Sequence, residues 1–403
     1  MLIYLNKPEY PNTKEDFDRW ASGGDCIRLW ERLAEVLRDG HHAVWAPPRL
    51  LLWAADLRDL SITQRQALTR AHGEVTQPSV DLTAASCAMV LTGPNRSKEI
   101  SGSFSGEEIR RDWRWFATLQ RSFGQTSLVA ENQNDAELMF WVARAMSVRQ
   151  RPGSDNIGDE LALDCVGGGG DTTGAELAAS IQRGSPTLCV VDADMCYKKA
   201  PRGGTAKKAE AAMIGLKSPQ LLPPHKLIAI DAYTIENIIP LELIHASCGT
   251  GKWVKPMARR GFFVQQVKVA PQGRAKAAVD PSLKYIKLVE ATVKGLLDSA
   301  KGDKKRREYR VAAIARIREL DPDAPSSDDE ALILSVGKLP QKIVATLNKN
   351  HDRKARPGNH PSAAHWLCAQ LLASPDTFVE EWEHIARAVW SWGLRFPPIL
   401  QSR

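Results

Sequence analysis

The sequence predicts an α/β fold: a central parallel sheet with helices on both faces, a mixed region before it and a helical region after it. Three observations predict this. Four apolar runs, "TSLVA" (126–130), "LALDCV" (161–166), "TLCVV" (187–191) and "HKLIAI" (225–230), are separated by segments with helical spacing. Strands alternating with helices build a parallel sheet. The runs do not show the period-two alternation of a half-exposed strand, so both faces of the sheet are expected to be covered. After about residue 246, apolar residues recur at i, i+3 and i+4, the helical period.

Taken in order, residues 1–123 form the mixed region. "DCIRLWERLAEVL" has helical spacing behind Asp25 as a candidate cap, and "HHAVWAPP" reads as a short strand closed by prolines. "SGEEIRRDWRWFATLQRSFG" opens on a Ser105-x-x-Glu108 capping box and is predicted to continue as a helix. Its Trp residues are expected in the core. Residues 124–245 form the central domain. After "TSLVA" comes "ENQND", then a helix over about 135–148, with Asn134-x-x-Glu137 as a cap pattern that puts Asp135 in the first turn. Gly167 to Gly170 follow the second run and precede the helix "DTTGAELAASIQRG", which Gly184 closes. The glycine run lacks the Lys-Ser/Thr of a P-loop and the spacing of a dinucleotide fingerprint, so a tight turn is predicted. The third run ends at "DAD" and the fourth at Asp231, with "YTIENIIPLELI" as the next helix. Residues 246–403 form the C-terminal region, with helices predicted in "PSLKYIKLVEATVKGLLDSA", "KKRREYRVAAIARIREL", "HPSAAHWLCAQLLA" and "DTFVEEWEHIARAVWSWG".

Composition narrows the setting. The chain has 403 residues, 43% of them hydrophobic and 25% charged, which is enough for two or three domains of an ordinary globular protein. No apolar run reaches the roughly 18 residues that span a bilayer. The first twenty residues do not read as a signal peptide. Seven cysteines without a CxxC pair argue against a zinc site or disulfide framework and for a reducing cytoplasm. Net charge is +7, and residues 251–310 carry 16 Lys and Arg against 5 Asp and Glu. Such a surface suits a polyanion, and equally a solvated helix face. Its densest part, "KGDKKRREYR", makes Lys304, Lys305, Arg306 and Arg307 candidate nucleic-acid contacts.

Ligands of open parallel sheets bind outside the carboxyl ends of the strands. Glu131 stands at the end of the first run, Asp192 and Asp194 at the third, and Asp231 at the fourth, with Glu236 a turn later. Alternation about Ala193 is expected to send Asp192 and Asp194 the same way. Each acid has a plain alternative: Asp135 and Glu236 (behind Thr234) fall in first helical turns, where carboxylates favour the dipole. Together they would repel unless a cation or raised pKa values relieved them. Oxygen donors without His or Cys suit Mg²⁺ or Mn²⁺.

In this arrangement residues 124–245 resemble the Toprim domain, found in bacterial primases, type IA and II topoisomerases and OLD-family nucleases. "YTIENIIP" is similar to the "IEN" segment of Toprim-like nucleases of bacterial defence systems. The usual Glu-Gly of the first motif is Glu131-Asn132 here. The resemblance implies a Mg²⁺-dependent endonuclease acting on DNA or RNA, with an antiviral role and a partner ATPase or sensor, and it leaves assembly into oligomers open. It implies Glu131 as metal ligand or general acid/base, Asp192 and Asp194 as metal ligands, Asp135 as the supporting acid and Glu236 as a further metal acid. A lysine on the scissile phosphate would come from Lys198, Lys199, Lys207 or Lys208. Two other classes stand beside it: a DxD nucleotide-sugar glycosyltransferase, and a non-catalytic nucleic-acid-binding module.

Overall fold

The computed structural model describes residues 1–5, 9–76, 85–94, 104–150, 161–239, 291–320, 326–329, 331–333, 338–352, 363–372 and 376–396, with Leu243, Ser247 and Tyr285. Two four-stranded, all-parallel sheets are surrounded by helices, and the C-terminal part is mainly helical.

The first sheet arises within the mixed region. In chain order its elements are β1 (Leu2–Leu5), α1 (Lys14–Ala21), α2 (Gly24–Asp39), β2 (Ala43–Trp45), α3 (Pro48–Ala55), α4 (Ile62–Thr76), β3 (Cys87–Thr92), β4 (Glu107–Asp112) and α5 (Trp113–Ala117). The strand order is β2-β1-β3-β4. Helix α2 lies where its apolar spacing put it, but Gly23, not Asp25, is its cap residue. The helix predicted from Ser105 is corrected: "EEIRRD" is β4, paired in parallel with β3 from Cys87–Glu107 to Thr92–Asp112. Only "WRWFA" is helical, and the Asp112 side chain caps it by accepting from the Arg114 amide at 2.8 Å. Tertiary pairing overrode the local capping pattern, because β3 offered a free edge.

The second sheet comprises β5 (Thr126–Ala130), β6 (Leu163–Gly167), β7 (Thr187–Asp192) and β8 (His225–Ile230), with crossovers α6 (Gln133–Gln150), α7 (Thr173–Gln182) and α8 (Gly204–Ile214). Its order is β6-β5-β7-β8. Alternate residues face opposite ways. Val129, Cys189 and Val191 pack under α7 and α8 with Leu177, Ile181, Ala206 and Ala209. Leu128, Ala130, Leu188 and Val190 face the other way, into the main core with α6. That two-sided burial is why the central strands carry no polar face. Behind β8, "YTIENIIPLELI" is not a long helix over its described part: a short 3₁₀ turn spans Ile235–Asn237.

Downstream, β9 (Ala291–Thr292) pairs antiparallel with β10 (Ala331–Ile333), a pairing the helical spacing did not signal. The helices are α9 (Val293–Asp298), α10 (Lys304–Leu320), α11 (Leu339–Asp352), α12 (Ala363–Leu372) and α13 (Asp376–Gly393). Most of the basic stretch 251–290 lies outside the described residues. Helices α11, α12 and α13 pack on α6, and α13 also reaches β3 and β5. Its indoles are fastened individually: Trp382 Nε1 donates to the Ile238 carbonyl at 2.7 Å and Trp390 Nε1 to Ser147 Oγ at 3.1 Å. Ser391 Oγ accepts from the Ser86 amide at 2.8 Å, and Leu394 bridges Leu161. One hydrophobic cluster therefore runs from Met1 to Phe396 through both sheets. Trp30, Trp382, Trp390 and Trp392 are buried in it, as core tryptophans.

Candidate functional site

In the order β6-β5-β7-β8, the chain leaves β5 toward one side of the sheet and β7 toward the other, so a crevice opens between their carboxyl ends. Glu131 follows β5 directly. Its backbone carbonyl accepts from the amides of Gly169 at 2.8 Å and Gly170 at 3.2 Å, and Ala130 O accepts from Gly168 at 2.7 Å. The glycine run is the tight turn the sequence predicted. It holds the exit of β6 against that of β5, and these amides are already used there instead of facing a phosphate. Gly167 is required by close approach: a Cβ would stand 2.6 Å from the Gln133 nitrogen. Gly169 and Gly170 have φ of 71° and 62°.

Thr205, at the start of α8, stands beside the Glu131 side chain. Burial, then the charges of Asp194, Glu236 and Asp171, hold the pKa of Glu131 above the usual carboxylate range, against the lowering influence of the Thr205 hydroxyl. Asp135 lies in the first turn of α6, as expected, but the cap is Asn132 instead of Asn134: Asn132 Oδ1 accepts from the Asp135 amide at 3.1 Å. Asn132 Nδ2 also donates to Asp135 Oδ2. Asn132 thus builds the turn where the resembling motif has Gly. Asp135 is buried, and burial followed by Glu236 and Glu131 pushes its pKa up to about 8.

Asp192 ends β7, buried, with Oδ1 accepting from the Ile235 amide at 2.8 Å. Burial first, then Glu131, Asp135, Glu236 and Asp194, raise its pKa well above the usual range. Alternation does not carry on to Asp194: that residue is left-handed (φ 50°), so the strand stops at Asp192 and the chain turns. Asp194 is placed by other contacts. Its amide donates to the Tyr233 carbonyl at 2.9 Å, and Gly203 donates to Ala193 O at 2.7 Å. A Cβ on Gly203 would stand 2.2 Å from that of Asp194. Glu236 sits in the turn capped reciprocally by Thr234 and Asn237. The structure therefore brings Glu131, Asp135, Asp192, Asp194 and Glu236 into one electrostatic cluster. Asp231 lies exposed at the same rim, where its Oδ1 accepts from the Tyr285 hydroxyl at 3.2 Å.

All four candidate lysines are at the surface. Lys198 and Lys199 are exposed on the loop after β7. Lys207 is exposed on α8, and Lys208 pairs with Asp171 at 2.6 Å. The charges acting on Glu131, Asp135 and Asp192 are all carboxylates. In the basic cluster, Lys304, Lys305 and Arg307 are exposed, and Arg306 is half-buried. Thr205 and Asp171 were not singled out from the sequence. A Thr behind Gly203-Gly204 and an Asp behind a glycine run are the only signals they leave.

Oε1 of Glu131 and Oδ1 of Asp135 are buried without a hydrogen-bond partner. Such orphaned oxygens, in an all-oxygen donor set, have the chemistry that Mg²⁺ or Mn²⁺ takes. Among the described residues, no three His, Cys, Asp or Glu side chains are arranged to hold a metal ion as they stand. Donor type fits a divalent cation, and side-chain rotation would have to complete the shell.

No protein-family model matches the chain, and neither does any curated protein or solved structure. Among the described residues, no helix is long and apolar enough to cross a membrane.

Proposed function

We propose that the acidic crevice is a phosphodiester-hydrolysing centre and the protein a Mg²⁺-dependent nuclease, in line with the resemblance of its motifs to the Toprim domain. One observation carries this reading: carboxylates from two adjacent strand ends and two neighbouring turns gather in a partly buried crevice, and the charges acting on one another there are of one sign. Isolated from cations, such a cluster opposes folding. A function that brings a cation explains why the fold keeps it.

Glu131, Asp135, Asp192, Asp194 and Glu236 would hold the metal. Bound divalent ions supply an activated water and charge stabilisation for the leaving oxygen. The protein's own contributions are positional. Thr205 stands beside Glu131, and burial holds the pKa of that carboxyl above its ordinary range, the direction that favours taking up a proton. The turn at Asp194, closed over Gly203, fixes that carboxylate at the mouth of the crevice. The sugar-nucleotide reading leaves Glu131 and Glu236 without a role.

The test is cleavage of plasmid DNA and structured RNA with Mg²⁺ or with chelator. Asp192→Ala combined with Asp194→Ala should abolish Mg²⁺-dependent cleavage while preserving the circular dichroism spectrum. Full cleavage by the double variant, or none by the wild type on either substrate, refutes the reading.

A further inference from the structure

We propose that Arg306 is the residue that holds the substrate's backbone phosphate at the carboxylate rim, an inference that rests on the nuclease reading. The four consecutive basic residues 304–307 cannot act alike, because successive positions on a helix point about 100° apart. Lys304 is turned to solvent, 90% exposed, with Glu308 at 3.9 Å. Lys305 and Arg307 are exposed as well. Arg306 turns inward. Its Nε is buried and has no hydrogen-bond partner, and among the described residues no carboxylate pairs with it.

The face Arg306 shares is seated beside the crevice. Three residues on, Tyr309 meets the ring of Tyr285 edge-on, with centroids 6.1 Å apart. Tyr309 packs against the cluster of Tyr285 with Ala193, Met195 and Ala200, in the loop that carries Asp194. Tyr285 itself bonds Asp231 at the end of β8. Tyr233 links the two sides: its carbonyl holds the Asp194 amide at 2.9 Å, and its phenol stands in the field of Asp194, Arg306 and Arg310. Arg310, one turn further, cannot serve. It is buried and donates to the Leu296 carbonyl and Ser299 Oγ.

Two guanidinium groups so placed repel, and Arg310's pKa is lowered by burial and then by Arg306. An anion between Arg306 and the acidic rim relieves this. A phosphodiester fits, since a guanidinium fork grips two phosphate oxygens in one plane. Arg306 also supplies charge of the sign that the carboxylates lack: they would hold cations, and a separate cation must hold the phosphate.

The experiment measures fluorescence anisotropy of labelled single-stranded and duplex oligonucleotides, DNA and RNA, with Ca²⁺ in place of Mg²⁺ and NaCl varied from about 50 to about 200 mM. Cleavage is followed in parallel with Mg²⁺. Arg306→Ala should weaken binding about tenfold or more, and Arg306→Lys by less, because a point charge restores attraction without the fork. Combined Lys304→Ala, Lys305→Ala and Arg307→Ala should cost about threefold and flatten the salt slope. Should Arg306→Ala melt cooperatively well below the wild type, Arg306→Lys decides: affinity equal to wild type refutes the fork. A wild type that binds and cleaves, with Arg306→Ala indistinguishable, overturns this inference alone. A wild type that neither binds nor cleaves overturns the nuclease reading and this inference with it.

Discussion

Replacing Asp135 by an asparagine removes one charge from the crevice at nearly constant volume, and its effect on stability has a sign fixed by pH. The carboxyl is buried and titrates at about 8 in the folded protein, against a usual value of 3.8. The folded state therefore holds this proton more tightly than the unfolded chain. Stability from this group is complete below about pH 4 and is lost as pH rises toward about 8. The gap of about four pH units corresponds to on the order of 5 kcal/mol when the group is fully ionised. Between about pH 5 and about pH 8 the loss is about 3–4 kcal/mol. With an unfolding entropy of about 2.1 cal/mol/K per residue, that is about 4 °C in Tm for the chain of 403 residues. The substitution keeps the cap, which runs from the backbone amide of this position to Asn132 Oδ1. Its new side-chain amide could point at Glu131 and Glu236, where the orphaned oxygen now lies. The assay is a pair of melting curves without metal across about pH 5 to 8. The wild type should lose several degrees more than Asp135→Asn over that interval, and about 10 mM Mg²⁺ should stabilise the wild type more at the upper end of it than at the lower. Parallel pH profiles for the two proteins, or a variant that melts lower at the upper end, would refute the reasoning.

Glu131→Gln keeps the volume and removes the charge, so cleavage should fall by about a hundredfold or more while the metal-free Tm holds or rises at about pH 8. A much lower Tm with normal cleavage would mark Glu131 as structural. Gly203→Ala forces a Cβ to within 2.2 Å of Asp194 Cβ, whereas one on Gly204 meets nothing within 4 Å. The first should lower stability by about 1–3 kcal/mol and depress cleavage, and the second should do neither. Equal behaviour of the two, in urea melts and cleavage rates, would show that Asp194 is not held by Gly203.

Much of the second sheet could be read in the chain itself. "TSLVA" and "TLCVV" are strands at the predicted places because a strand buried on both faces must be apolar at consecutive positions, a property local to the sequence, and "HKLIAI" is a strand where predicted too, half-exposed at the sheet edge. The terminal residues of those strands follow, and with them Glu131 and Asp192. Their separation from the helices came from the same local switch of period. Tertiary structure decided the rest, where the determinant lies far along the chain. "EEIRRD" is a strand because β3 was there to pair with it, against its own capping box. Asp194 reaches the crevice through Tyr233 and Gly203, and not through alternation. Of four adjacent basic residues, helix phase and the seat of Tyr309 on the Asp194 loop turned one inward. The raised pKa of Asp135 exists only once α6 is packed and Glu236 has arrived from a turn about a hundred residues later, because burial and charge proximity are properties of the assembled fold.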